Sequence, residues 1–431
     1  MQKEAIGKYR WTIVALLFFA TSINYIDRQV IGLLKPTLAS EFGWSETDYS
    51  HIVMAFTASY AIGLLVFGRL IDKLGTKLGY TVAIIVWSAA AMLHAAARNT
   101  LGFMAARIGL GLGEAGNFPA AIKTVAEWFP KKERAFATGV FNSGANIGAV
   151  VAPILVPWIL GAYGWQEAFI ITGALAFIWL IFWFIYYEVP EKEKRVSAAE
   201  LAYINSDADE QAIADDATAK PVPYAKLFSL KQTWAFIIGK FLTDPVWYFL
   251  LFWLPDYFHG AFNLNLTKPG WPLAIIYTAT TVGSIGGGFL SSYFIKRGWS
   301  VNKARKTAMF IIALLVLPIV TARFTTNINV IVTLVSLAAA GHQAWSANIF
   351  TLVSDMFPKK AISSVVGIGS MAGSIGGFLF PMLIGYVLDA AIASGNKTAG
   401  YNFIFIICGV AYLLAWIIIQ VLVPKLQRAD V

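Results

Sequence analysis

The chain has 431 residues, of which 58% are hydrophobic and 13% are charged. Soluble domains carry about 25% charged residues, so too few polar side chains are present here to coat a water-exposed surface. The composition therefore excludes a soluble enzyme, a nucleic-acid-binding protein and a disordered chain. The single cysteine, Cys408, excludes an internal disulfide and a cysteine metal cluster.

Apolar stretches long enough to cross a membrane recur along the chain. A helix needs about 20 mostly apolar residues to cross a hydrocarbon core about 30 Å thick. Lipid offers no partner for open backbone groups, so each stretch is predicted to be helical. There are twelve: 11–34, 50–71, 78–97, 101–122, 136–160, 167–187, 232–255, 271–295, 307–322, 328–353, 362–388 and 402–423. The pattern predicts an all-α membrane protein with twelve transmembrane helices.

The basic residues are concentrated on one side of this predicted topology. With the N-terminus in the cytoplasm, 25 of the 33 lysines and arginines fall in cytoplasmic segments and 5 in external segments. The other three, Arg28, Arg107 and Lys240, lie inside spans. This bias follows the positive-inside rule and predicts that both termini are cytoplasmic. We expect the net charge of +9 to face anionic lipid of the inner leaflet and not nucleic acid.

An internal repeat divides the chain into two related halves. Residues 129–155 align without gaps to residues 357–383, and identical residues recur 228 positions later. They are Phe129, Pro130, Lys131, Lys132, Gly139, Ile147, Gly148, Pro153 and Leu155. Repeats in the same membrane orientation are typical of two bundles related by an axis along the membrane normal.

A polar stretch at 188–231 separates the two halves, and a short amphipathic helix is predicted within it at 197–212. Ser197 opens this helix, and Glu200 three residues later predicts a capping box. The expected organisation is an N-terminal six-helix bundle at 1–190, a cytoplasmic linker at 191–230 and a C-terminal six-helix bundle at 231–431.

The loop after the second span reads GRLIDKLGTK (68–77), which resembles the signature loop of the major facilitator superfamily. Its acid, Asp72, can cap the N-terminus of a neighbouring helix. The matching segment of the second half, GFLSSYFIKRG (288–298), has Ser292 where the acid would stand. The resemblance implies the major facilitator fold, with two pseudo-symmetric six-helix bundles. The missing acid predicts an asymmetric charge network between them.

Other segments resemble the anion:cation symporter family within that superfamily: NYIDR (24–28), RIGLGLGEAGNFPA (107–120), EWFPKKERA (127–135) and RGWSVNKARK (297–306). Five more resemble bacterial hexuronate transporters: YSHIVMAFTASYA (49–61), LGTKLGY (74–80), TGALAFIW (172–179), HQA (342–344) and TLVSDMFP (351–358). The resemblance implies a proton-coupled symporter, not an enzyme. It would import galacturonate or glucuronate across the bacterial inner membrane by alternating access.

Charged residues inside spans are the candidate site, because one at a helix centre costs about 2.5–3.5 kcal/mol on insertion scales. In the first span, Asn24, Asp27 and Arg28 share one helix stripe. In the fourth span, Arg107 and Glu114 are seven residues, or nearly two turns, apart and point the same way. The glycines between them allow close helix approach or bending.

Two roles follow from this chemistry. An arginine fork matches a carboxylate bidentately, so Arg107 is the expected contact of the substrate carboxylate. Burial favours the neutral form of a carboxyl group, so Asp27 and Glu114 are the expected proton carriers. The resemblance to sugar-acid symporters implies the same, with Arg28 beside the carriers as a coupling and binding residue.

The hydroxyl groups of a sugar acid need polar partners and a flat apolar face. The predicted contacts from both halves are Tyr25, Tyr60, Asn142, Asn146, Trp247, Tyr248, Gln343, Asn348 and Ser370. The predicted gate residues are Asp72, Lys240, Asp244 and His342. Asp244 precedes Pro245 and can pair with Lys240 four residues earlier.

Several alternatives remain open at this stage. The cargo could be another organic anion, such as an aldonate, a dicarboxylate or an aromatic carboxylate, and sodium could replace protons. An exporter is less favoured, since GANIGAVVAP (144–153) lacks the Gly-Pro pair of exporters in this superfamily. No cofactor is expected and no metal, because the four histidines show no ligand spacing. A monomer is expected, because two bundles complete one site.

Overall fold

The computed structural model describes residues 6–207, 221–252, 258, 271–395 and 397–431, and the regular elements within these ranges are helices. The N-terminal half (residues 6–187) contains α1 (Tyr9–Phe42), α2 (Glu46–Leu74), α3 (Thr76–Leu93), α4 (Thr100–Glu114), α5 (Asn117–Trp128), α6 (Lys131–Tyr163) and α7 (Trp165–Tyr186). The connecting linker contributes α8 (Ala198–Ile204) and α9 (Tyr224–Phe228). The C-terminal half (residues 231–431) contains α10 (Lys231–Phe252), α11 (Trp271–Lys296), α12 (Val301–Val316), α13 (Ile328–Met356), α14 (Lys359–Ala393) and α15 (Lys397–Leu422).

Helical segments lie at each predicted span, where the structure describes it. Across the described ranges, eight helices are long and apolar enough to cross a membrane: α2, α3, α6, α7, α12 with its extension to Phe324, α13, α14 and α15. The charge-bearing α1, α4 and α10 are not among the eight. Helix α4 has only 15 residues because it ends at Glu114, so it is shorter than a span by itself.

The fourth predicted span, 101–122, is formed by two successive helices with a short break at Ala115 and Gly116, which both keep right-handed helical torsion angles. Helix α4 ends at Glu114 and α5 begins at Asn117. Two glycines flank the break: the backbone of Gly113 packs against Trp87, and Gly116 lies against Ala83. A side chain at either position would collide with α3, so the break lets both segments approach that helix closely.

The two halves meet where α2 crosses α14 and where α6 crosses α11. At each crossing two glycines lie against backbone carbonyl groups of the partner helix. The pairs are Gly68 with Ser363, Gly367 with Leu64, Gly288 with Ala135 and Gly139 with Ser284. Gly139 and Gly367 are 228 residues apart, as are Ala135 and Ser363, so the contacts follow the internal repeat.

The linker lies at the end of the molecule where α1 and α6 begin, which we call the linker end. Ser197 caps α8 as predicted, accepting a hydrogen bond from the Glu200 N–H at 3.1 Å. The Glu200 carboxylate does not close the expected capping box. It accepts instead from the backbone N–H groups of Tyr9 and Arg10, at 3.1 and 3.2 Å, and so caps α1. The final residues of the predicted helix, 208–212, lie outside the described residues.

Helix α8 also contacts the start of α6. The Tyr203 hydroxyl donates to the Glu133 carboxylate at 3.0 Å, and Glu133 also pairs with Arg10 at 3.0 Å. Burial and the adjacent Glu133 carboxylate raise the pKa of Tyr203 above its usual value, so this hydroxyl stays a donor. Lys296 of the C-terminal half reaches Glu133 at 3.4 Å. The linker helix thus sits where both halves meet.

Candidate functional site

An ion pair on the N-terminal half forms the centre of the site. The Arg28 Nε donates to Glu114 Oε2 at 2.8 Å. The Arg28 side chain is 25% exposed, whereas the Glu114 side chain is fully buried. The pair therefore presents its cation, not its acid, to the space between the halves.

Aromatic rings surround the Arg28 guanidinium. The ring centroids of Tyr60, Tyr25 and Phe56 lie 4.7, 4.8 and 5.3 Å from it. Such contacts contribute about 0.5–2 kcal/mol each, most where water is excluded. Phe56 was not predicted from the sequence, although it lies one helical turn before Tyr60 and therefore on the same face of α2.

Arg107 lies behind Arg28 and not beside it. It donates from Nη2 to the backbone carbonyl of Arg28 at 3.2 Å, and its guanidinium lies 5.2 Å from the Phe56 ring. Arg107 is buried. Of the two guanidinium groups, that of Arg28 is therefore the more accessible, and the role of Arg107 as the contact of a substrate carboxylate stays a prediction.

Asp27 faces the interior of the N-terminal half. It is 2% exposed, and neither carboxylate oxygen accepts a hydrogen bond from any residue that the structure describes. The Thr172 hydroxyl on α7 and the charge of Arg107 are its polar neighbours. Asn24, one turn earlier, is fully buried. The expected stripe is thus divided: Arg28 faces outward from the bundle, while Asn24 and Asp27 face inward.

Amide side chains connect the two halves. Asn142 of α6 donates to Gln343 Oε1 of α13 at 2.8 Å and to the Ser284 hydroxyl of α11 at 2.9 Å. Gln343 in turn donates to Asn146 Oδ1 at 3.4 Å. Three predicted contacts of a sugar acid thus lie together, and Ser284 joins them without having been predicted. These polar groups satisfy one another across the boundary and can exchange partners with substrate hydroxyls.

The C-terminal half has its own ion pair on α10. Lys240 Nζ lies 2.8 Å from Asp244 Oδ2, which confirms the predicted pairing, and 4.4 Å from the Phe350 ring. Phe350 stacks on Phe118 of the N-terminal half, with ring centroids 5.4 Å apart. Phe350 is seven residues, about 10 Å along α13, nearer the linker end than Gln343. The aromatic pair therefore closes the site towards the linker end.

His342 belongs to the packing of the C-terminal half. Its ring stacks on Trp247 at 5.1 Å, and its Nδ1 lies 2.6 Å from the Tyr412 hydroxyl. Tyr248, one residue along α10 from Trp247, lies within electrostatic range of Arg28 across the boundary. We call the space bounded by Arg28, Tyr25, Tyr60, Asp244 and Tyr248 the cleft.

Two predicted contacts are not joined to this group. Asn348 is fully buried and donates to the carbonyl groups of Gly287 and Ala344 at 2.8 and 2.9 Å, so its amide links α13 to α11. Ser370 is half-buried, and its hydroxyl has no hydrogen-bond partner among the described residues.

Asp72 lies at the linker end of α2, twelve residues along that helix from Tyr60 of the cleft. Its carboxylate pairs with Lys123 at 3.0 Å and accepts from the backbone N–H groups of Ser363 and Ser364 at 3.3 and 2.7 Å. Both serines lie in the second turn of α14, so Asp72 contacts the N-terminal part of this helix but does not cap its first turn.

Comparisons with known proteins agree with this architecture. The model of the Major Facilitator Superfamily matches residues 17–381. The Hexuronate transporter of Escherichia coli (strain K12) is 32% identical over 424 residues, covering 98% of this chain and 96% of that protein. The Galacturonate transporter of Dickeya chrysanthemi is 35% identical over 287 residues, 67% of this chain and 83% of that protein. The crystal structure of the E. coli fucose:proton symporter has a TM-score of 0.69 and 17% identity, covering 96% of this chain and 99% of that one.

Proposed function

Because the chain belongs to the Major Facilitator Superfamily, we propose that it is a proton-coupled symporter that imports a sugar-acid anion, with hexuronate as the substrate. The proposal includes twelve spans in two bundles, both termini in the cytoplasm, and a bacterial inner-membrane location. It is supported by the names of its relatives, which transport hexuronate and galacturonate. The charged residues of the cleft supply the mechanism.

The observation that carries the proposal is the Arg28–Glu114 pair at 2.8 Å with only its cation exposed. Glu114 contacts only the Nε of Arg28, but its negative charge offsets that of the guanidinium, so a second carboxylate is attracted less strongly while Glu114 is ionised. Protonation of Glu114 weakens the pair and frees the Arg28 fork for the substrate carboxylate. Anion binding and proton binding therefore favour each other, which is the coupling that a symporter needs.

Asp27 supplies a second proton position in this proposal. A buried carboxylate without hydrogen bonds is costly when it is charged, and a proton removes that cost. Arg107 is the group between the two acids, because it touches the backbone of Arg28 and lies near Asp27. We assign the first contact of the substrate carboxylate to Arg28, with Arg107 stabilising the charge behind it.

The contacts between the halves suit alternating access. The crossings, Phe118–Phe350 and the network around Glu133 all hold the linker end closed. Import requires these contacts to separate while the cleft closes on the opposite side. The hydrogen bond from Asn142 to Gln343 lies between these two regions. Substrate hydroxyls that bind these two amides in its place would contact both halves at once.

The first experiment is uptake of labelled galacturonate and glucuronate into proteoliposomes, with the outside acidic and sodium absent. Accumulation that a protonophore abolishes is the expected result. Uptake that appears only with sodium, or only with another organic anion, contradicts the proton or hexuronate assignment respectively.

Three variants test the roles of the charged residues. Glu114→Gln keeps the shape of the side chain but cannot take up a proton, so we expect substrate exchange to persist and gradient-driven accumulation to disappear. Arg107→Ala and Arg28→Met should each abolish substrate binding, measured by the thermal shift that galacturonate produces. Accumulation against the substrate gradient by Glu114→Gln would show that this carboxylate does not carry the coupled proton.

A further inference from the structure

The two walls of the cleft expose opposite charges. In the N-terminal pair the cation is accessible: the Arg28 side chain is 25% exposed and Glu114 is fully buried. In the C-terminal pair the acid is accessible: the Asp244 side chain is 18% exposed and Lys240 is 8% exposed. Each pair is neutral as a whole, so the difference lies in which member a substrate can reach.

The two accessible charges belong to one binding space. Tyr25 lies within electrostatic range of both Arg28 and Asp244, and so does Tyr248 from the opposite half. The guanidinium of Arg28 stacks 4.8 Å from the Tyr25 ring. A molecule lying along these two tyrosines would therefore meet a cation at one end and a carboxylate at the other.

The position of Asp244 is fixed by its neighbours. Lys240 binds its Oδ2 at 2.8 Å, and the same carboxylate packs against the backbone of α14 at Gly373, where no side chain intervenes. A contact of this length between an ammonium and a carboxylate is a charge-assisted hydrogen bond. An ionised carboxylate is acceptor-only, so it suits substrate hydroxyl donors and repels a second carboxylate.

Resting on the sugar-acid transport proposed above, we propose that Asp244 is a specificity-determining residue that accepts hydrogen bonds from the substrate hydroxyls. The substrate class is then a monocarboxylic sugar acid, with its carboxylate at Arg28 and its hydroxyl-bearing end at Asp244. Lys240 and Gly373 are positioning residues that hold the acceptor. Sugar diacids and carboxylates without hydroxyls bind poorly for two different reasons, repulsion and missing donors.

The test is competition against labelled galacturonate uptake in proteoliposomes containing the full chain. The competitors are galacturonate, galactarate with a carboxylate at each end, and cyclohexanecarboxylate, which has a ring but no hydroxyls. We expect wild-type protein to prefer galacturonate over both others by about tenfold or more, since a hydrogen bond to a charged group contributes about 1.5–3 kcal/mol.

Asp244→Asn should weaken competition by unlabelled galacturonate about tenfold or more. Galactarate should compete better relative to galacturonate, because residue 244 would no longer repel its second carboxylate. Asp244→Asn with Lys240→Gln restores the net charge of the pair. If net charge alone mattered, this double variant would recover the wild-type preference, and we expect that it does not. Gly373→Ala displaces the Asp244 carboxylate without changing the charge and should also weaken competition by galacturonate. This variant tests the inference even if the first two variants fail to fold.

Three results would overturn the inference. One is wild-type uptake with equal competition by galactarate and galacturonate. Another is an unchanged preference in Asp244→Asn and Gly373→Ala. The third is an Asp244→Asn protein that keeps its preference but loses proton-driven accumulation, since Asp244 would then be a proton carrier. A wild-type protein that transports no sugar acid at all would overturn the proposed function first, so the two failures are distinguishable.

Discussion

The two crossings between the halves share a backbone geometry but differ in chemistry. At the α2–α14 crossing, Asp72 accepts the Ser364 N–H at 2.7 Å and binds Lys123 at 3.0 Å. At the α6–α11 crossing, the Ser292 hydroxyl accepts the Phe136 N–H at 3.3 Å. Ser364 and Phe136 are 228 residues apart and occupy matching places in the repeat. One crossing is thus held by a charged acceptor and the other by a neutral one.

Near the second crossing, the charged side chains belong to other helices than at the first. Arg305 of α12 pairs with Asp355 of α13 at 2.9 Å and donates to the Lys131 carbonyl of α6 at 2.6 Å. Arg134 of α6 donates to the Ser354 carbonyl at 2.7 Å. The predicted asymmetry of the charge network is therefore confirmed. The comparison teaches that glycine contacts preserve the symmetry of the backbone, while the polar groups on it are free to diverge.

The largest expected effect comes from breaking the Asp72 pair. Thr351 stands 228 residues after Lys123 and is its counterpart in the internal repeat. Lys123→Thr therefore replaces the lysine near the first crossing with the residue found at the matching position of the second half. Alone, this change leaves a buried carboxylate without its cation, and we expect a loss of about 3–5 kcal/mol in stability. The double variant Lys123→Thr with Asp72→Ser has a neutral acceptor, like Ser292 at the second crossing. We expect it to recover most of the lost stability. Thermal unfolding of the purified variants measures both, and equal stability of single and double variants would contradict the argument.

A smaller effect is expected for opening of the linker end. Ser354→Cys in a Cys408→Ala background places a thiol at this closed boundary, where an impermeant reagent reaches it only after opening. Asp72→Asn should raise its labelling rate by about tenfold or more. Ser292→Ala should raise it by less, since neutral hydrogen bonds contribute about 0.5–1.5 kcal/mol and charged ones about 1.5–3. Equal rates would show that the charge on Asp72 does not strengthen its crossing.

The smallest effect concerns the linker, which contacts both crossings. Tyr203 donates to the charged Glu133 at 3.0 Å, and Tyr224 donates to the neutral Leu65 carbonyl at 2.5 Å. Tyr203→Phe should cost about 1 kcal/mol of stability and Tyr224→Phe about half of that, as measured by thermal unfolding. A larger loss of stability in Tyr224→Phe than in Tyr203→Phe would contradict this order and show that the linker is held mainly by its contact with α2.

Much of the fold was predictable because it follows from local pattern. Long apolar stretches with few charges predict helices, and the repeat at 129–155 and 357–383 predicts matching helices in the two halves. The glycines of the fourth span suggested close approach or bending, but hydropathy does not show that the break follows Glu114. The structure places this break beside α3, where Gly113 packs against the backbone of Trp87.

The site was predictable by residue type more than by role. Charged residues in apolar spans identified Asp27, Arg28, Arg107, Glu114 and Asp244 without reference to structure. Helix periodicity placed Asp27 and Arg28 on one stripe, but they are adjacent and therefore about 100° apart around the helix axis. Small differences in helix rotation decide which of two such residues faces a partner bundle.

Composition, apolar run length and internal repetition can be read directly from the order of residues, and they predict a helical, membrane-embedded and duplicated chain. Charged residues within apolar runs also identify the candidate site, since burial of a charge in lipid is costly wherever it occurs. The packing of the helices leaves Arg28 partly accessible with Arg107 behind it, and leaves the Asp244 side chain more exposed than that of Lys240. These differences depend on which helices pack together, and such contacts join residues far apart in the chain.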